Sequence, residues 1–350
     1  MNKNFILPDY SKIERIFLVS PINVRDKEGF FEEFYQLIVL ISQIISNKVK
    51  LTIICKDEQS KLKTEEKISL YDRNNKFDNN DNFIHIKNLE IEYHIVEIVD
   101  VWIRDYFSCG TIKTSNLEKS CLKATYAPSY NSYSPHIDDA AGIKLAQKYF
   151  DNFLSNCIPF KLDGGNVIAN DEYIIISEKL YTENVNLSKS EIDKYFENNF
   201  EQKLITIPTE ILDSIGHVDS IVRFITPRTI VLPIYDEEYR ADNRYIMKVR
   251  NILREKLGLE YKILFLPSSL SDEINEDNIF SAEGLFINFL RLENKIIFPS
   301  FKGLEEYQKE IKRVFNKEVP ELDIYFSPCD TYAKEGGCFN CITNFIYEIL

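Results

Sequence analysis

A chain of 350 residues with 44% hydrophobic and 13% aromatic content can bury a substantial core, which excludes wholesale disorder. A formal net charge of −13 argues against a nucleic-acid partner, which would need basic patches, and is compatible with a cationic ligand. Seven cysteines, odd in number and irregularly spaced, are no disulfide framework, and the longest apolar run, Leu37 to Ile41, is far too short for a bilayer. With no secretion-type opening, the expectation is a reduced cytoplasmic protein with no membrane partner, and nothing here fixes or forbids a homo-oligomer.

In chain order, Ile13 to Val19 reads as a buried strand ended by Ser20-Pro21. Phe34, Leu37, Ile38, Ile41, Ile44 and Ile45 recur at helical spacing, predicting a helix from Phe30 to Ile45. Leu51 to Cys55 is a second strand. Lys56 to Asn82 is polar with little periodicity and reads as a solvated insertion, partly helical, within one domain spanning 1–350. Ile91 to Val101 reads as a strand running into Trp102-Ile103-Arg104-Asp105. A helix over Asp138 to Phe153 and a strand into Leu162-Asp163-Gly164-Gly165-Asn166 follow. Ser188-x-x-Glu191 is a capping box opening a helix to about Asn199. Gly216-His217-Val218-Asp219 leads into a hairpin over Ile221 to Pro233, and the helix Glu237 to Leu257 is stopped by Gly258. Strands at Ile263 to Pro267 and within Phe286 to Pro299, a helix from Leu304 to Phe315, and a strand at Asp323 to Phe326 complete the series. The alternation means α/β.

Asp105, Gly164, His217, Asn288 and Cys341 stand roughly 50–70 residues apart, within the range of repeated supersecondary units. Around several of them a polar residue, a strand, a turn and a second strand recur. Such units arranged in a ring would aim one special residue each at a common centre.

The C-terminal Glu335-Gly336-Gly337-Cys338-Phe339-Asn340-Cys341 puts a cysteine just beyond a glycine turn, where it is held and still reachable. A thiolate there could be a nucleophile, a metal ligand or half of a redox pair with Cys338. His217-x-Asp219 would place both side chains on one face of a strand. Taken singly, each motif has an ordinary reading: a surface pair for His217 and Asp219, a salt-bridged turn for Asp100, Arg104 and Asp105, a tight turn for Asp163 to Asn166. Taken together, a cysteine, a histidine and several carboxylates suit attack on a cationic, resonance-stabilised carbon, a guanidinium. Two carboxylates can grip its N–H groups while a thiolate attacks the carbon and a histidine moves protons.

Four segments in order, Trp102-x-Arg104-Asp105, Asp163-Gly164-Gly165-Asn166, Gly216-His217-Val218-Asp219 and Gly336-Gly337-x-x-x-Cys341-x-Thr343, resemble the guanidine-modifying pentein superfamily, specifically agmatine deiminases and Porphyromonas-type peptidylarginine deiminases. The opening Leu7-Pro8 to Pro21 and Phe286-Ile287-Asn288-Phe289 extend the resemblance over nearly the whole chain. It implies a five-bladed α/β propeller with pseudo-fivefold symmetry and hydrolytic deimination through a covalent cysteine intermediate, with no cofactor or metal. It also implies Cys341 as nucleophile, His217 as general acid and base, and Asp105 and Asp219 as the guanidinium clamp. Asp163, where relatives carry a glutamate, would orient His217. Trp102, Gly164, Gly165, Asn166 and Asn288 would line the substrate, and Arg104 would be structural.

This sequence departs from the pattern at Phe107-Ser108, where agmatine deiminases carry Gly-Pro, and at Asn340, where histidine commonly precedes the nucleophile. Both departures, with Asn166, are expected at the pocket rim, where they bear on the substrate more than on the reaction. The expected activity is conversion of agmatine to N-carbamoylputrescine, with release of ammonia, in the service of polyamine synthesis. Peptidylarginine deimination is the alternative, then an amidinotransferase or a catalytically silent guanidino-binding relative. A cysteine protease fits poorly, because Asp105 and Asp219 would have no work in amide hydrolysis. A nucleophilic Cys341 is expected to have a depressed pKa.

Overall fold

The computed structural model describes residues 3–349 apart from 26, 28, 75–85, 87, 88, 115, 131–133, 151, 152, 154–157 and 210–214. After β1 (Phe5–Ile6), a βαβαβ run comprises β2 (Ile13–Val19), α1 (Phe30–Ile44), β3 (Lys50–Cys55), α2 (Glu58–Asn74) and β4 (Glu90–Ile95). The three larger strands pair in parallel, so α1 and α2 are the crossovers that parallel pairing requires. Phe34, Leu37, Ile38 and Ile41 form the buried stripe of α1 that the helical spacing predicts.

The stretch read as a solvated insertion differs. Its residues 58–74 are a crossover helix, whose inward stripe is Ser60, Thr64 and Ile68. Thr64 Oγ1 meets Ser20 Oγ at 2.6 Å. Two of the three inward side chains are hydroxyls, Thr64 donating to the Ser60 carbonyl and Ser60 to the Asp57 carbonyl, so a hydrophobicity pattern does not register them. The remainder of the expected insertion, from 75 to 82, lies outside the described residues.

The short α3 (Ile103–Tyr106), β5 (Thr111–Lys113), β6 (Lys119–Cys121) and α4 (Pro135–Tyr149) come next. The strand expected to run to Val101 ends at Ile95. The helix expected over 138–153 is shifted toward the N-terminus, where Pro135 suits its first turn. The following segments are β7 (Ile168–Ala169), β8 (Tyr173–Ser177), α5 (Lys179–Glu183), α6 (Lys189–Asn199) and β9 (Lys203–Ile207). Among the described residues no strand leads into Leu162. A single parallel bridge, Thr125 to Lys161, takes its place. Both halves of the capping box form at α6, Ser188 with Glu191.

Then come β10 (Arg223–Thr226), β11 (Thr229–Ile234), α7 (Arg240–Leu257) and β12 (Lys262–Pro267). Gly258 ends α7 at φ +84°, a conformation open to glycine at little cost. The chain finishes with β13 (Leu290–Leu292), β14 (Lys295–Ser300), α8 (Glu305–Glu318), β15 (Asp323–Pro328), α9 (Asp330–Lys334) and β16 (Thr343–Tyr347).

The strands form five small sheets, β1-β5-β6, β7-β8-β9, β10-β11-β12, β13-β14-β15 and β16-β2-β3-β4. Three repeat one device: an antiparallel hairpin followed by a helical crossover to a parallel strand. The four-stranded sheet makes the same antiparallel-then-parallel pattern across the termini, since β16 pairs antiparallel with β2. Just before the first strand of each hairpin stands one of the spaced residues: Asp105, Gly164, His217, Asn288 or Cys341. The result is a mixed α/β fold with its polar turns at corresponding points. Among the described residues no helix is long and apolar enough to cross a membrane.

Candidate functional site

Those polar turns converge. Asp105, His217, Asp219, Asn288 and Cys341 line one cavity of about 320 Å³, with Trp102 and Tyr130 in its wall. Asp105 lies on α3, tucked under the glycine turn from the next unit: Gly165 N–H donates to Asp105 Oδ1 at 3.0 Å. A Cβ on Gly165 would lie 2.5 Å from His217 Nδ1, and one on Gly164 would lie 1.9 Å from the Arg104 carbonyl oxygen. The glycine pair is thus required by close approach. Neither glycine nor Asn166 is among the residues lining the main cavity, contrary to their expected contact with substrate. Asn166 is instead a structural pin, its Oδ1 accepting from Ser177 N–H at 2.9 Å.

His217 and Asp219 do not lie on a strand. Residues Val218–Ser220 form a 3-10 turn, capped by the Ser220 hydroxyl donating to the His217 carbonyl at 2.7 Å. The two-residue period of a strand therefore does not apply. His217 is in extended backbone ahead of the turn, Asp219 is inside it, and both side chains still reach the cavity. His217 Nε2 sits 2.9 Å from Asp163 Oδ2, and its Nδ1 sits 3.5 Å from Asp105 Oδ1. Burial works against the imidazolium, but Asp105 foremost and Asp163 next outweigh it and raise the His217 pKa. Burial, with Asp163 and Asp219 nearby, lifts Asp105 to about 7. Asp163 goes the other way: despite burial, Lys179 and then His217 hold it well below the usual carboxylate range. The shorter aspartate arm thus reaches the imidazole.

Cys341 follows the loop after α9 and is partly exposed, whereas the five other described cysteines are buried. Its Sγ lies 3.4 Å from Asn288 Oδ1. Burial first, then the Asp219 and Asp105 carboxylates, push its thiol pKa well above 9, the reverse of the expected depression. Two acidic side chains lie near the sulfur, and no lysine or arginine is among the described lining residues. A bound cation would change that balance.

The wall behind these groups is hydrogen-bonded throughout. Asn340 Nδ2 donates to Asp219 Oδ2 at 2.6 Å, and Asn288 Nδ2 reaches the same oxygen at 3.3 Å. Arg104 donates through Nε and Nη2 to the carbonyl and Oδ1 of Asn340, each at 3.2 Å. That is the structural role expected for Arg104. Asp100 does not pair with it, but with Arg25 at 3.1 Å. Two departures expected at the rim are elsewhere. Phe107 is fully buried, edge-on to Phe17 at 4.9 Å, and Asn340 lies behind Asp219. Gly337 lets its loop close on Trp102, since a Cβ there would be 2.6 Å from the indole.

Sequence reasoning missed Lys179 and Tyr130. Lys179 Nζ is 2.6 Å from Asp163 Oδ2 and stands 4.2 Å from the centre of the Tyr130 ring. Nothing in the local pattern marks either residue, since both reach the site only through tertiary packing. Asp242, Asp272 and Glu283 were also missed. They form a more exposed acidic part of the lining, and no lysine or arginine is among the described lining residues. Glu335, the other added carboxylate, is matched by Arg25 at 3.0 Å and Lys27 at 2.5 Å. Among the described residues no group of three or more His, Cys, Asp or Glu could hold a metal ion.

The model of the Porphyromonas-type peptidyl-arginine deiminase family matches residues 5–346. A provisional agmatine deiminase of Selenomonas ruminantium is 25% identical over 296 residues, covering 74% of this chain and 77% of the relative. Among solved structures, a cysteine-to-serine variant of the C. jejuni agmatine deiminase with substrate bound superposes at TM-score 0.79 and 19% identity, covering 100% of this chain and 98% of that one. The agmatine deiminase of Enterococcus faecalis superposes at TM-score 0.77 and 15% identity, covering 99% and 96%. At such identities these two structures establish a shared fold.

Proposed function

The chain belongs to the Porphyromonas-type peptidyl-arginine deiminase family, and from that premise we propose that it hydrolyses a guanidino compound to a ureido compound and ammonia, with agmatine as substrate and N-carbamoylputrescine as product. One observation carries the reading: Cys341, His217, Asp105 and Asp219 meet in a single cavity with no lysine or arginine in its described lining. A guanidinium held between Asp105 and Asp219 brings positive charge to both carboxylates, and its arm passes Trp102. Its arrival offsets the carboxylates that hold the thiol protonated, so Cys341 releases its proton to solvent when substrate is present.

The thiolate attacks the guanidinium carbon, forming a C–S bond and a tetrahedral centre. His217 gives its proton to one nitrogen, the C–N bond breaks, and ammonia leaves a thiouronium on Cys341. Water then attacks the same carbon as His217 takes its proton. The C–S bond breaks, and the electron pair returns to sulfur. Asp163 holds the imidazole through both steps.

Agmatine is favoured over free arginine and peptidylarginine by the acidic outer lining. Asp242, Asp272 and Glu283 suit a remote ammonium, and no described lining residue is a lysine or arginine that would meet a substrate carboxylate. We further infer a single domain whose five sheets close as a pseudo-fivefold propeller of the pentein type, acting in the cytoplasm toward putrescine. The test is ammonia and ureido-product formation from agmatine, free arginine and an arginine-containing peptide, with Cys341→Ala as control. Turnover preferring agmatine and lost in the control is expected. Preference for the peptide would overturn the substrate assignment, and inactivity on all three would overturn the reaction.

A further inference from the structure

Lys179 opens α5 immediately after β8, and only 7% of it is exposed. Its Nζ donates to Asp163 Oδ2 at 2.6 Å, the oxygen that also meets His217 Nε2 at 2.9 Å. The same Nζ is 3.4 Å from His217 Nε2, and the Tyr130 ring covers it at 4.2 Å. Tyr130 Oη completes the cluster, 3.4 Å from both Asp163 Oδ2 and His217 Nε2. A buried ammonium and an imidazole therefore share one carboxylate oxygen, in direct contact with each other.

We propose that Lys179 is a positioning residue of this site, fixing the Asp163 carboxylate against the imidazole and setting how readily His217 releases its proton. The inference rests on the reading above that His217 moves protons to and from the reacting nitrogen and water. The groups facing the imidazole are Asp105 from α3, Asp163 ahead of the glycine turn, Tyr130 from the segment between β6 and α4, and Lys179 from α5. Asp219 and Cys341 lie in the same cavity. Two buried carboxylates alone would hold the imidazolium so firmly that it would neither give its proton to departing ammonia nor return as a base. Lys179 is the described cation beside it that opposes them, and it does so without occupying the cavity, whose lining it does not join.

The chain has four histidines, so the His217 ring can be followed by NMR titration in the unliganded protein, with no substrate needed. Lys179→Met should move the His217 titration upward by about one unit or more, and Lys179→Arg, which keeps the charge, should leave it within about half a unit. Because Lys179→Met leaves Asp163 without its cation, a second comparison guards against misfolding. Asp163→Asn with Lys179→Met removes both charges, and should titrate above Asp163→Asn alone. An unchanged His217 titration in Lys179→Met, or equal titrations in the second pair, would overturn the proposal. Failure to turn over any guanidino substrate would instead overturn the functional reading and leave the titration result standing.

Discussion

Asn340 donates its Nδ2 to Asp219 Oδ2 at 2.6 Å while its own Oδ1 accepts from Arg104 at 3.2 Å. The residue immediately ahead of Cys341 therefore aims a carboxylate that belongs to another unit. Asn340→Ala removes that hydrogen bond and leaves buried groups of Arg104 and Asp219 short of a partner. It should raise KM for the guanidino substrate about tenfold. A KM unchanged by the substitution would show that Asp219 is held well enough without it.

Asp219→Asn tests the clamp itself. The amide keeps the shape and loses the charge, so kcat/KM should fall about 10- to 100-fold, mostly through KM. Steady-state kinetics on the active substrate decide the matter, and unchanged constants would remove Asp219 from the clamp.

The legibility of the molecule follows from which interactions are local. The stripe of α1, the capping box at Ser188 and the stop at Gly258 are short-range signals, and each element stands close to where the sequence sets it. The spacing of Asp105, Gly164, His217, Asn288 and Cys341 also carries through to the repeated hairpins, and four of the five line one cavity. What stayed hidden is tertiary. Lys179 is an unremarkable lysine after a strand until Asp163 and Tyr130 enclose it. Phe107 sits next to the site in sequence, yet its ring belongs to the core against Phe17. The 3-10 turn at Val218 falls where the alternation of His217-x-Asp219 suggests a strand, and the inward face of α2 is mostly hydroxyls, which a hydrophobicity pattern does not register.

Asp105 ties stability to pH. Its folded pKa of about 7 lies above the ordinary unfolded carboxylate value near about 3.9, so the folded state binds the proton more tightly. Its stabilising share is present below the unfolded value and is lost as pH rises through the folded one. Asp105→Asn, which cannot ionise, should thus be more stable than the unsubstituted chain at pH 8, with the advantage shrinking toward pH 4. Denaturant unfolding at both pH values measures it, and an advantage that grows on acidification would contradict the assignment. Activity should be lost, since half the clamp is gone.

The raised Cys341 thiol predicts slow alkylation by iodoacetamide in the empty protein at pH 7, rising at high pH. Guanidinium ion should speed alkylation at pH 8 by neutralising Asp105 and Asp219. Peptide mapping of the modified cysteine gives the rate. Fast modification at pH 7, unaffected by guanidinium, would mean that the carboxylates do not govern the sulfur.

The covalent route through Cys341 is the centre of the account. Rapid acid quench of a reacting mixture with agmatine, followed by intact-mass and peptide analysis, should find a species heavier by the substrate less ammonia. The added mass should lie on the peptide bearing Cys341 and be absent in Cys341→Ala. Ammonia and ureido product formed at full rate by Cys341→Ala, with no adduct at any time point, would contradict it.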